Sequence, residues 1–322
     1  MTAPLVSVMM TSYNTSQYIA AAIQSLLAQT HSNWELLLAD DCSSDNTREV
    51  IATFSDARIR VLHNTSNLHY LRTRNRLTPY VRGEFVALLD SDDLYAPEKL
   101  EAQINAFSED PDLAMCGTLV KYITKDGKPM STNDIKPSEY KEILDFIKTE
   151  SAFTGSSIMV KTSVWKEMGG YRDFFNGLGY EDYDLTSRIV EKYKATNLQN
   201  SLYLYRQYPE STSRKDVLFN PFKLNGHLLV QHFIRERAAG GKDSLDKNDI
   251  PAIISFVVKM NEPYVLDPSL IHRQLMWATL HRKMKLLALK HIMKAISISP
   301  FRWANYRSMI LCILISVDLI KE

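Results

Sequence analysis

The sequence predicts an α/β protein: a mostly parallel central sheet with helices on both faces, followed by a C-terminal helical region. Three observations carry that prediction. Short apolar runs of strand type alternate with amphipathic helical patterns through the first 200 or so residues. Clusters of Asp sit at the C-terminal ends of those runs. From about residue 217 onward the alternation stops and only helical periodicity continues. With 322 residues and an apolar share of 45%, the chain can bury a core in a main domain plus a smaller one.

The elements follow in order. "LVSVMMT" (Leu5–Thr11) is a buried-strand run, and Ile19, Ile23, Leu26 and Leu27 then line one helical face. "WELLLAD" (Trp34–Asp40) is the second strand, followed by the polar turn "DCSSDNT" and a short helix through Val50, Ile51 and Phe54. "IRVLHN" is the third strand, and Arg72–Val81 reads as a helix with Pro79 at or near its end. "EFVALLD" is the fourth strand, and Pro97 opens a helix carrying Leu100, Ile104 and Phe107. "LAMCGTLVKYITKDGKPM" reads as a strand turning at Asp126-Gly127, "EYKEILDFIKTE" as a helix and "SSIMV" as a strand. A short helix ends at Gly169-Gly170, and another begins near Tyr180 with Leu185, Ile189 and Tyr193. After "SLYLYRQY" a boundary is expected at 214–217, dividing a first domain of residues 1–215 from a helical domain of residues 216–322.

Composition narrows the function. The formal net charge of +1 gives no global field for nucleic acid, so no nucleic-acid partner is expected. Charge is nevertheless uneven: Arg273 to Arg307 holds eight Lys/Arg and no Asp or Glu. Three cysteines without C-x-x-C spacing fit a reducing compartment. No signal peptide precedes "PLVSVMMTSYN", and the apolar run Met309–Val317 is too short to span a bilayer. The expected location is cytoplasmic.

The stretch "ALLDSDDLYAP" places Asp90, Asp92 and Asp93 within four positions, where like charges repel. A solvated turn with one Asp capping the next helix would explain Asp93. Asp90 and Asp92, two apart on a short loop, can instead point at one spot, as needed to bridge Mg²⁺ or Mn²⁺ to substrate phosphates. Strand ends on one edge of such a sheet form ligand sites. "MMTSYN" and "ADDCSSDNT" place Tyr13 and Asp41 on that edge, a ring to stack on a base beside an acceptor for its N–H.

"VSVMMTSYN", "ELLLADDCSSDNT", "NLHYLRTRNR", "GEFVALLDSDDLYAPEKL" and "GLGYEDYDL" occur in that order, and over residues 4–214 the chain resembles a family 2 inverting glycosyltransferase of GT-A fold. The resemblance is to bacterial enzymes of surface-glycan synthesis. It implies that Thr11, Tyr13 and Asp41 bind the nucleobase, with Asp41 holding the uracil N3–H. It places Arg74 near the diphosphate, with Arg72 a close rival, Asp90 at the ribose and Asp92 on a Mn²⁺ or Mg²⁺ ion. It makes Asp182 the catalytic base; without the resemblance, Glu181 and Asp182 read as first-turn acids favouring a helix dipole. The implied donor is a nucleotide sugar, with UDP the expected nucleotide, and the acceptor a glycan or lipid-linked saccharide. Three departures stand out: His69 where many relatives have glycine, Tyr208 where many have histidine, and no Q-x-x-R-W motif, which favours single-sugar transfer over polymerisation.

Two rival functions remain open at this point. An aspartyl phosphohydrolase would place D-x-D on an early strand with a Thr soon after, whereas here Leu94-Tyr95 follows a fourth strand. A non-catalytic nucleotide- or glycan-binding module could keep the fold without the chemistry. The basic C-terminal helices read by default as a pair packed on itself. The alternative is peripheral contact with anionic lipid at the inner face of the cell membrane, which a lipid-linked acceptor would make useful.

Overall fold

A computed structural model describes residues 3–132, 134–208, 221–281 and 284–316. The chain divides into two compact units, Met1–Arg214 with Val230–Ala239, and Lys215–Leu229 with Gly240–Glu322. The boundary expected at 214–217 lies outside the described residues, as do Arg282 and Lys283 of the basic run.

The first unit is built on one eight-stranded sheet of order β3-β2-β1-β4-β7-β6-β8-β5. Its strands are β1 (Val6–Ser12), β2 (Trp34–Asp40), β3 (Ile59–His63), β4 (Phe85–Leu88), β5 (Leu94–Tyr95), β6 (Leu113–Thr124), β7 (Met159–Lys161) and β8 (Lys194–Gln207). β3, β2, β1 and β4 are mutually parallel, with Ser12 beside Asp40 and Met9 beside Leu88. Every residue of β1, β2 and β4 is buried, as expected of strands covered on both faces. Val8, Met10, Leu36 and Leu38 share one core with Ile19, Ile23 and Leu26 of α1 (Ile19–Leu27). Because the strands run in parallel, the loops after β1, β2 and β4 all leave the same edge. That edge carries the chemistry.

The far half of the sheet is mixed. β7 is antiparallel to β4 and β6, β5 is antiparallel to β8, and β6 and β8 are parallel. β5 is too short to show in the sequence, and β8 begins at Lys194, well before "SLYLYRQY", because pairing with β6 extends it through register shifts near Thr118–Val120. The helix expected at Arg72–Val81 is α3 (His69–Asn75) followed by a 3₁₀ turn at Thr78–Tyr80. Pro79 lacks the N–H a continuing helix needs, which is why the α-helix stops short. The remaining helices of this part are α2 (Thr47–Ala52), α4 (Lys99–Glu109), α5 (Tyr140–Phe146), α6 (Thr162–Glu167) and α7 (Glu181–Val190).

α8 (Pro221–Gly240) contributes its Val230–Ala239 segment to the first unit. There Phe233 is fully buried, with the Arg172 guanidinium 5.2 Å over its ring, and Arg237 pairs with Glu191 at 2.6 Å. The second unit holds α9 (Ile250–Leu266), α10 (Leu270–His281), α11 (Lys285–Ile298) and α12 (Trp303–Ser316). Its small core joins Met276 and Leu280 to Ala288, Ile292, Ala295, Cys312 and Ile315. No helix among the described residues is long and apolar enough to cross a membrane.

Candidate active site

The loops after β1 and β2 lock together through backbone and side-chain bonds. The Asp41 N–H donates to Ser12 O (2.8 Å), Asn14 N–H to Ser43 Oγ (3.0 Å) and Ser44 N–H to Asn14 Oδ1 (2.8 Å). Thr11 is buried at their base and Tyr13 stands half exposed between them. Asp41 is buried, and its Oδ1 accepts from Asn64 Nδ2 (2.7 Å) and from the Leu68 N–H (2.9 Å). Two donors from different segments hold this carboxylate in one orientation. Asp40, one residue earlier, instead pairs with Arg48 at 2.6 Å and serves the fold.

The three aspartates after β4 separate into three environments. Asp90 Oδ1 accepts from Arg74 Nη2 (2.5 Å) and Oδ2 from Ser156 Oγ, while its N–H donates to Tyr203 Oη. Arg74 is only 3% exposed, so this cation is committed to a buried ion pair beneath the site. Asp92 Oδ2 accepts from Tyr208 Oη (2.7 Å), and Arg206 Nε donates to its backbone carbonyl (2.6 Å). Burial and the neighbouring Asp90 charge push the Asp92 carboxyl above its ordinary range. Asp93 does not cap α4: it is buried against β8, accepting from Tyr203 Oη and the Arg206 N–H, both at 2.7 Å. The capping expectation fails because β5 and β8 come together around Asp93, which the local sequence cannot show.

α7 presents the second group of acids. Gly177, Gly179 and Tyr180 precede it, all with positive φ, and swing the chain into the helix. Of its three first-turn acids, Asp184 is fully buried and bound by both Arg172 and Arg188. It is structural. Asp182 Oδ1 accepts from the Tyr183 N–H (2.8 Å), and burial, with the Asp90 charge adding to it, raises its pKa. Glu181 is 9% exposed and accepts from Tyr70, with Oε2 lacking a partner. Burial and the adjacent Asp182 push Glu181 up to about 8.

A short 3₁₀ turn, Gly155–Ser157, ties the two groups. Ser156 bonds Asp90, and the adjacent Gly155 lies so close to α7 that a Cβ there would sit 2.6 Å from Asp182 Oδ2. Gln103 Nε2 fixes the turn from below by donating to Ser157 O (3.0 Å). The structure thus brings Asp90, Asp92 and Asp182 together around four residues the sequence does not single out, Ser156, Gly155, Tyr70 and Arg206, and beside Glu181, which the sequence reads only as a first-turn acid. Arg72, the rival basic residue, is bound outside this cluster to Asp173 at 2.5 and 2.7 Å. His69 is exposed at φ +63°, the left-handed region that favours glycine. Among the described residues no three His, Cys, Asp or Glu side chains converge as a metal-holding cluster.

Residues 7–168 match the family model described as glycosyl transferase family 2. The chain belongs to that family. EpsE of Bacillus subtilis is 30% identical over 222 residues, 67% of this chain and 78% of EpsE. The Escherichia coli UDP-Glc:alpha-D-GlcNAc-diphosphoundecaprenol beta-1,3-glucosyltransferase WfgD is 50% identical over 101 residues, 31% of this chain and 40% of WfgD. Among solved structures, Staphylococcus aureus TarS (residues 1–349) in complex with UDP-GlcNAc aligns with TM-score 0.60 at 18% identity, covering 98% of this chain and 91% of that one. The mannosyltransferase PcManGT of Pyrobaculum calidifontis, in complex with GDP-Man and Mn²⁺, aligns with TM-score 0.56 at 16% identity, covering 99% and 81%. The expected GT-A fold is therefore observed, and the protein is a glycosyltransferase of family 2.

Proposed function

We propose that this family 2 glycosyltransferase is an inverting, divalent-metal-dependent enzyme of bacterial surface polysaccharide synthesis. It moves one hexosyl or N-acetylhexosaminyl unit from a nucleotide sugar, UDP-linked in the first instance, to a hydroxyl of a glycan or lipid-linked saccharide. The observation that carries this reading is the approach of Asp182 to the Asp90–Asp92 loop through the Gly155–Ser157 turn, beside the loops bearing Tyr13 and Asp41. The substrates named for WfgD and TarS support a UDP donor, and the Mn²⁺ named with PcManGT supports the metal.

Thr11 and Tyr13 form the base platform, Tyr13 stacking its exposed ring on the nucleobase while Asp41 accepts the base N–H. Asp90 faces the ribose, and Arg74, from beneath, sets that carboxylate's orientation at the diphosphate end. Asp92 fits a hard cation: its half-buried carboxylate is crowded by the Asp90 charge, and Tyr208 adds another oxygen donor beside it. Hard cations of this kind take one or two protein carboxylates and complete their shell from substrate phosphates and water. When bound, Mn²⁺ or Mg²⁺ supplies Lewis-acid stabilisation of the departing diphosphate. Asp182 takes the acceptor hydroxyl proton as the acceptor oxygen bonds the anomeric carbon and the bond to the diphosphate breaks from the opposite face. Its raised pKa makes it a stronger base than an ordinary Asp, at some loss of the ionised fraction at low pH.

A thermal-shift panel of UDP-, GDP-, dTDP- and CMP-sugars with and without Mn²⁺ tests the assignment. A UDP-sugar with Mn²⁺ is expected to stabilise most, by about 2.7 kcal/mol at a hundredfold excess over Kd. Stabilisation without any transfer to candidate acceptors would favour the binding-module reading instead, and no stabilisation by any donor would defeat the nucleotide-sugar assignment.

A further inference from the structure

We propose that one end of the C-terminal helical unit, where the end of α9 meets the turn between α11 and α12, docks onto an anionic lipid bilayer. Arg302 builds this tip. Its Nη2 donates to the Leu266 carbonyl (3.4 Å), its Nε pairs with Asp267 (3.2 Å), and Tyr306 Oη closes the turn onto the Pro300 carbonyl (2.7 Å). Around that staple stand four large apolar side chains in open solvent: Phe301 at 100% exposure, Val265 at 77%, Trp303 at 73% and Leu266 at 71%. Ile254 and Val258, also exposed, lie further back along the same face of α9, with the exposed Glu262 between them and Val265. A patch of this kind marks an interaction surface, since water is the costliest surrounding for such rings.

Charge selects the occupant. Two acids stand at the tip: Asp267, buried and bound by both Arg273 and Arg302, and Glu262, exposed on α9 one turn before Leu266; the cations Lys259, Arg273, Arg302 and Arg307 outnumber them. Arg307 is exposed one turn beyond Trp303, and Lys259 is exposed two turns before Leu266. Rings and branched aliphatics enter the headgroup–acyl boundary, Trp at its polar side, while Arg and Lys stems carry their charges out to anionic phosphates. A neutral protein surface could cover the apolar residues but would gain nothing from this flanking positive charge. The inference is independent of the catalytic assignment, because none of its residues lies in the catalytic unit.

Flotation of the full chain with phosphatidylcholine vesicles, with and without phosphatidylglycerol, is the test. Binding is expected only with phosphatidylglycerol, weakening with salt, and about tenfold or more weaker in F301S/W303S. Far-UV melting of that variant must match the parent. Acyl-brominated phosphatidylglycerol vesicles should quench tryptophan emission in the parent and not in W303F, a variant that keeps an aromatic ring. Absence of flotation, flotation unaffected by F301S/W303S, or equal quenching in W303F would overturn the proposal. So would gel filtration showing an oligomer that F301S/W303S dissolves, with no lipid binding; the occupant would then be a second copy of the chain.

Discussion

At the residue scale, Glu181 and Asp182 are adjacent in sequence and differ in surroundings. Asp182 is set beside the Gly155 turn, and as the proposed catalytic base it predicts that Asp182→Asn cuts kcat by about 10²–10⁴ while leaving donor affinity nearly unchanged. Steady-state rates beside calorimetric donor binding would separate the two quantities. Glu181 predicts a stability effect. Its pKa rises from 4.5 to about 8 on folding, so the folded chain holds the extra proton across that window. The stabilisation is complete below pH 4.5 and is lost as pH climbs toward 8, at up to about 1.4 kcal/mol per pH unit. Buried Lys99 slopes the other way: burial lowers it from 10.5 to about 7, so the unfolded chain binds more protons between those values and stability rises with pH there. Urea midpoints followed from pH 5 to 10 should flatten in the lower window for Glu181→Gln and in the upper one for Lys99→Met.

At the scale of elements, the Gly155–Ser157 turn and the start of α3 make the clearest demands. Gly155→Ala would drive a methyl into Asp182 and displace it, lowering kcat strongly with little change in the donor-induced thermal shift. A crystal-quality donor-binding curve with unchanged kcat would show that the turn is more pliant than its packing implies. At His69 the φ of +63° is left-handed, so His69→Gly should stabilise by about 1 kcal/mol, read from the denaturation midpoint. Element by element, β1 to β4 and α1 to α4 were legible because their apolar periods are local. β5 and the first half of β8 were not, since each exists by pairing with a distant strand, and neither was the antiparallel direction of β7, the strand read at "SSIMV".

At the scale of the whole molecule, the first unit is not a continuous segment of chain. Val230–Ala239 returns to it, burying Phe233 beside Phe174 and Phe175 and setting Arg237 on Glu191 and Ser187. A chain ended at residue 215 should therefore melt lower, by about 3 kcal/mol or more for the loss of Phe233 alone, than one ended at 240. Calorimetry of the two would decide it. A sequence boundary drawn where alternation stops cannot see a helix that comes back.

The sequence by itself determined the α/β alternation, the shared edge on which Tyr13, Asp41, Asp90 and Asp92 emerge, and the family to which the chain belongs. Those follow from patterns within a strand or loop, where the responsible residues are neighbours. Only the tertiary structure decided how each carboxylate is used: Asp90 held by Arg74 and Ser156, Asp93 given to β8, Asp184 to two arginines, and Asp182 kept against Gly155. The physical reason is that an aspartate's pKa and partners are set by burial and by charges brought from far along the chain. Ser156 reaches Asp90 across 66 residues and Arg206 reaches Asp93 across 113.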